Sequence, residues 1–66
     1  MKATVNGDER DLRDGVTIAE LLAELGAPAT GVAVARNERV VARSMHAQER
    51  VADGDRIEII KAVAGG

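Results

Sequence analysis

Thr17-Ile18-Ala19-Glu20-Leu21-Leu22-Ala23-Glu24-Leu25-Gly26-Ala27-Pro28 is the stretch that decides the fold. Thr17 and Glu20 have the spacing of a capping box, in which the threonine hydroxyl and the glutamate carboxylate each meet an exposed amide at a helix start. Ile18, Leu21, Leu22 and Leu25 follow at i, i+3, i+4 and i+7, one apolar stripe on an amphipathic helix. Gly26 and Pro28 stop it. A single helix with one apolar stripe needs something to lie on, and the sequence on both sides of it reads as strand.

Upstream, Met1, Ala3 and Val5 alternate with Lys2, Thr4 and Asn6, the period of a half-buried strand. Asn6-Gly7 is a strong hairpin signal because both residues tolerate positive φ, and it predicts a return strand near Glu9 to Arg13. Asp14-Gly15 turns the chain again. Downstream, Val32-Ala33-Val34-Ala35 is apolar at every position, which predicts a central strand covered more fully than the first. Arg36-Asn37-Glu38-Arg39 makes a turn into a short strand at Val40-Val41. From Ala42 to Arg50 the pattern is ambiguous, with room for one helical turn around Met45 to Gln48. Asp53-Gly54-Asp55 is a turn before Arg56-Ile57-Glu58-Ile59-Ile60-Lys61, a last strand whose Ile57 and Ile59 point inward. The expected fold is an α+β roll, a mixed sheet of four to five strands with one helix across it. No repeat, linker or low-complexity segment appears, so residues 1–66 read as one domain with a flexible tail from about 62 to 66.

Composition excludes several function classes. A chain of 66 residues buries only about 60% of its unfolded surface and leaves little room for a large active site of its own. It carries 11 acidic and 9 basic side chains, net charge −2, and no aromatic residue. There is thus no basic stripe to displace counterions and no ring to stack on a base, which argues against nucleic acid. No apolar run approaches the length of a membrane span, and Met1-Lys2-Ala3 opens no signal-peptide pattern, so a cytoplasmic location is expected. Without cysteine, disulfides and thiolate metal sites are excluded, and any sulfur chemistry must use sulfur brought from outside.

Candidate catalytic groups are few. His46 is the only histidine and has no triad or metal partners in view; a surface position is expected. Asp53 and Asp55 flank a glycine without the other ligands of a calcium loop and read as turn formers. No phosphate-binding loop is present, so no nucleotide or metal cofactor is expected on this chain. Arg36, Arg39 and Arg43 cluster around one turn, either as a solvated edge or as a patch for an acidic partner.

The chain closes on Gly65-Gly66, a few residues beyond the last strand. Glycine lets backbone pass through a narrow channel where an alanine would collide. A terminal α-carboxylate is an anion at neutral pH, able to attack the α-phosphorus of ATP and so become an activated acyl group. The alternative left open is an idle, frayed end. Ile60 falls on the face of the last strand opposite Ile57 and Ile59, either as a docking residue or under a loop in a second small core.

Val5-Asn6-Gly7, Val16-Thr17-Ile18-Ala19-Glu20-Leu21-Leu22, Val32-Ala33-Val34-Ala35-Arg36-Asn37, Val40-Val41-Ala42-Arg43-Ser44, Asp53-Gly54-Asp55-Arg56-Ile57-Glu58-Ile59 and Val63-Ala64-Gly65-Gly66 together resemble the ThiS family of sulfur carriers. The resemblance covers essentially the whole chain. It departs after the fourth strand, where the family's usual proline near Ala42 and tryptophan near His46 are missing. It implies a β-grasp, ubiquitin-like fold and a carrier that is not itself an enzyme. A ThiF-type enzyme, using ATP and magnesium, would adenylate Gly66; a persulfide-bearing donor would convert it to a thiocarboxylate; and thiazole synthase, ThiG, would accept the sulfur for thiamine. Gly65 would give the narrow approach, Val63 and Ala64 would dock the arm, and Ile60 would meet a partner. A MoaD-like carrier for molybdopterin, a covalent protein modifier and a non-conjugated binding module share the fold and remain alternatives.

Overall fold

The computed structural model describes residues 1–28 and 31–61. The chain runs β1 (Lys2–Val5), β2 (Asp8–Asp11), α1 (Ile18–Glu24), β3 (Val32–Arg36), β4 (Arg39–Val41), a 3-10 turn (Arg43–Met45) and β5 (Arg56–Lys61). The strands form one sheet in the order β2-β1-β5-β3-β4. β1 and β5 are parallel neighbours, and the other pairs are antiparallel. The expected α+β roll is therefore present, with five strands.

The hairpin forms where Asn6-Gly7 predicts it: φ is 51° at Asn6 and 85° at Gly7, and Val5 pairs with Asp8. The second strand begins a residue earlier than expected and ends at Asp11. Alternation along β1 buries Ala3 and Val5.

All four orphan amides at the start of α1 find acceptors. Ile18 donates to the Glu49 carbonyl at 2.9 Å and Ala19 to that of His46 at 2.8 Å, ahead of the first intrahelical bond, from Leu21 to the Thr17 carbonyl at 2.9 Å. Glu20 donates to Thr17 Oγ1 at 3.1 Å, while the Thr17 amide donates to Glu20 Oε1 at 2.9 Å and completes the capping box. Hydrogen bonds from Thr17, ahead of the pull of Arg13 and Arg50, hold the Glu20 carboxyl below its ordinary range. The helix ends in a Schellman motif around Gly26, at φ 71°: Ala27 donates to the Leu22 carbonyl and Gly26 to that of Ala23.

The apolar stripe of α1 lies on one face of the sheet. Ile18, Leu21 and Leu22 close over Ala3, Val5, Val34 and Ile57, and Val16, Val41 and Val51 complete the buried cluster. Ile59 and Leu25 pack partly against this core. Val32–Ala35, expected to be the more fully covered strand, is not: only Val34 is buried and Ala33 is exposed. The single helix covers one face, so a strand apolar on both faces leaves its outward residues bare. β5, not β3, is the middle strand.

The ambiguous segment from Ala42 resolves into the 3-10 turn, placed two residues ahead of the expected helical turn and followed by bonds from Gln48 and Glu49 to the Met45 carbonyl. It closes the end of the core beside α1. His46, expected at the surface, is only 6% exposed. Its Nε2 lies 3.1 Å from the Val41 carbonyl, a contact that needs the proton on Nε2. The ring occupies the region where the resemblance would put tryptophan, and a cleft of about 260 Å³ remains between it and Ala19, Leu22, Ala23 and Ala27.

Candidate functional site

β5 links the core to the end of the chain. Arg56 begins it, held on the β3 side through Asn37: the Asn37 amide donates to the Arg56 carbonyl at 2.8 Å, and the Arg56 amide donates to Asn37 Oδ1 at 2.9 Å. Ile57 is fully buried and Ile59 half-buried, whereas Ile60 is 63% exposed. Strand alternation thus separates the isoleucines by face, as the sequence implies. Ile60 pairs with Ala33, and Ala35 pairs with Glu58 and Val40. Val40 is 80% exposed. Ile60, Ala33, Ala35 and Val40 therefore form a narrow apolar band across the uncovered face of β5, β3 and β4. Glu58 and Arg56 continue that face along β5, with Arg56 paired to Glu38 at 3.3 Å.

The turn before β5 is held by a charged cluster that sequence reading did not find. Asp55 is 6% exposed. Its carboxylate accepts from Arg36 Nε at 2.6 Å, Asn37 Nδ2 at 2.9 Å and the Ala52 amide at 2.7 Å. Burial alone would push this carboxyl up, but the Ala52 amide, Asn37 and Arg36 together outweigh it and hold it below the usual aspartate range. Arg36 also reaches Glu49 at 3.3 Å, and its bond to Asp55 above all holds the guanidinium firmly protonated. Arg36 is thus not part of a solvated edge; it ties β3 to the turn before β5, while Arg39 and Arg43 stay exposed. Asp55 is more than a turn former, and Asp53 caps the Lys2 amide at 2.8 Å. The only sequence signal for the cluster was the pairing of Asn37 and Asp55 with turns.

Among the described residues, no group of three or more His, Asp or Glu side chains is placed to hold a metal, and no helix is long and apolar enough to cross a membrane. Of the residues assigned a role from sequence, Ile60 lies on the open face. Val63, Ala64, Gly65 and Gly66 lie outside the described residues. What the described part can do is present an apolar band beside the point where β5 ends.

Parallel first and last strands at the centre of a five-stranded mixed sheet, with one helix across one face, define a ubiquitin-like β-grasp domain. The crystal structure of a thiamine biosynthesis protein (ThiS) from Geobacter metallireducens superposes with a TM-score of 0.87 at 33% identity over the whole of both chains. The profile of the ThiS family matches residues 3–66, and the chain belongs to that family. The sulfur carrier protein ThiS of Escherichia coli is 36% identical over 66 residues, all of both chains. A thiazole synthase of Paramagnetospirillum magneticum is 44% identical over 66 residues, and this chain spans 20% of its length.

Proposed function

We propose that this chain is a sulfur carrier of thiamine biosynthesis that works through the carboxyl group of Gly66. The observation that carries the reading is the ThiS-family match running through to Gly66, joined to full-length similarity with a protein named as a sulfur carrier. The chemistry proceeds on partner enzymes. A ThiF-type enzyme binds ATP and magnesium, and the Gly66 carboxylate attacks the α-phosphorus, forming an acyl-adenylate and releasing pyrophosphate. The terminal sulfur of a persulfide donor then attacks the acyl carbon and expels AMP. A thiol takes up the inner donor sulfur as a disulfide and releases Gly66 as a thiocarboxylate. The carrier is consumed and regenerated as a cosubstrate in the cytoplasm, where ATP is at hand, and contributes no catalytic group of its own.

Thiazole synthase is the acceptor that the relatives support. In the Paramagnetospirillum magneticum thiazole synthase, a segment similar to this whole chain belongs to the same polypeptide. Ile60, Ala33, Ala35 and Val40 supply the docking band, since a tail of five residues reaches at most roughly 17 Å and the body must sit close to the active site. Gly65 gives a narrow approach, and Val63 and Ala64 settle the arm.

The reading requires a free carboxyl on Gly66. Incubation with ATP, magnesium and the adenylating enzyme should release pyrophosphate, and one residue added after Gly66 should abolish that release without moving the melting temperature. Release that persists with the added residue would remove Gly66 as the reacting group.

A further inference from the structure

Two asparagines grip β5 from its two sides. Both lie in the left-handed region, Asn6 at φ 51° and Asn37 at φ 52°. Each gives its backbone N–H to a β5 carbonyl, Asn6 to Ile57 at 2.9 Å and Asn37 to Arg56 at 2.8 Å. Each also accepts a β5 N–H on its side-chain oxygen: Arg56 donates to Asn37 Oδ1 at 2.9 Å, and Ile59 donates to Asn6 Oδ1 at 2.8 Å.

The Asn6 contact falls where β5 loses a neighbour. β1 pairs with β5 only through Thr4–Arg56 and Val5–Ile57, whereas β3 runs beside it as far as Lys61. β1 turns away at Asn6-Gly7, so the Ile59 N–H faces the side that β1 has left. That amide would otherwise turn to water, and Asn6 Oδ1 supplies a protein acceptor instead, as a side-chain extension of the parallel ladder. A groove lined by Asn6, Leu25, Gly26, Ala27, Ile59 and Lys61 opens beside it. The last residues of β5 are therefore held by β3 on one edge and by one side chain on the other.

We infer that Asn6 is a positioning residue for the reactive end: its side-chain oxygen holds β5 in line through Ile59 and so sets the direction in which the chain leaves Lys61. This rests on the carrier reading. When β5 frays at Ile59, the docked body no longer fixes where the chain leaves Lys61, and a misplacement of about 1 Å at a reacting atom costs about a hundredfold in rate. Asn6 touches no reacting atom in this scheme; it acts through β5.

Asn6→Gly and Asn6→Asp separate this role from turn formation. Glycine keeps the positive φ and removes the oxygen, while aspartate keeps an oxygen acceptor and tolerates the left-handed region. By NMR hydrogen exchange, Asn6→Gly should speed exchange of the Ile59 amide about tenfold, with Ile60 following and the Val34 amide unchanged, and Asn6→Asp should stay near the parent protein. With the adenylating enzyme, Asn6→Gly should lower kcat/KM about tenfold, with recovery in Asn6→Asp. Chains lacking Gly65 and Gly66 should inhibit equally well with Asn6 or Gly at that position, because body docking is untouched. Unchanged exchange at Ile59 overturns the inference, as does faster exchange with unchanged kcat/KM. A parent chain that is never adenylated sinks the carrier reading and the positioning of a reactive end with it, while the exchange data still decide whether Asn6 holds the strand.

Discussion

The two faces of the sheet are built from alternate residues of the same strands, yet they meet different surroundings. On the covered face, Ala3, Val5, Val34, Val41 and Ile57 are almost fully buried beneath α1. On the open face, Ile60 and Val40 stay largely in solvent beside Ala33. A one-residue step along β5 therefore moves a side chain from holding the fold together to facing whatever approaches. With docking proposed on the open face, stability and recognition are separable, and substitution should affect one without the other.

The largest effect is expected on the covered face. Ile57→Ala removes a fully buried side chain and should cost about 2–5 kcal/mol. For a domain of this size, stable by a few kcal/mol, denaturant unfolding should show a chain that is largely unfolded or barely folded. A loss below about 1 kcal/mol would mean that β5 is not the core strand described. Next comes the rim. Asp55→Asn removes the charge that Arg36 faces and should cost about 2 kcal/mol. The Asp55 carboxyl titrates lower in the folded chain than in the unfolded one. Its contribution is therefore full above the ordinary aspartate value, about 4, and is lost as the pH falls through the folded value. Unfolding measured from neutral to acidic pH should show that acid-sensitive portion in the parent and not in the variant; identical pH curves would contradict the cluster's role.

A smaller loss is expected at the helix cap, where Thr17→Ala removes the acceptor of the Glu20 amide and should cost about 1 kcal/mol. Smallest of all should be Ile60→Asp, within about 0.5 kcal/mol of the parent, because its side chain is mostly exposed. The same change should weaken binding to the adenylating enzyme in a titration. A large loss of stability from Ile60→Asp would erase the distinction between the faces.

How legible these features were in the sequence follows the range of the interactions that make them. Helix, cap and hairpin depend on neighbours a few residues apart, so Thr17, Glu20, Asn6 and Gly7 announce themselves. The facing of Ile57, Ile59 and Ile60 follows from strand period alone. His46 and Asp55 are buried because residues distant in sequence close over them, Ala19 and Leu22 of α1 in one case and Arg36 and Asn37 in the other, and no local pattern marks that. Alanine misled at β3, since Ala33 is small enough to be apolar on paper and bare in the fold. The bond from Ile59 to Asn6 spans most of the chain and came into view only with the strands in register. The glycine pair reads as a reactive end from its chemistry and from the family resemblance, and it lies outside the described residues.

The central claim is that Gly66 is charged with sulfur by other proteins. Its most direct test is the intact mass of the chain after incubation with ATP, magnesium, the adenylating enzyme and a persulfide donor. The account predicts one oxygen-to-sulfur exchange, placed by fragmentation at Gly66. An unchanged mass, with the same enzyme active on another carrier, would contradict it.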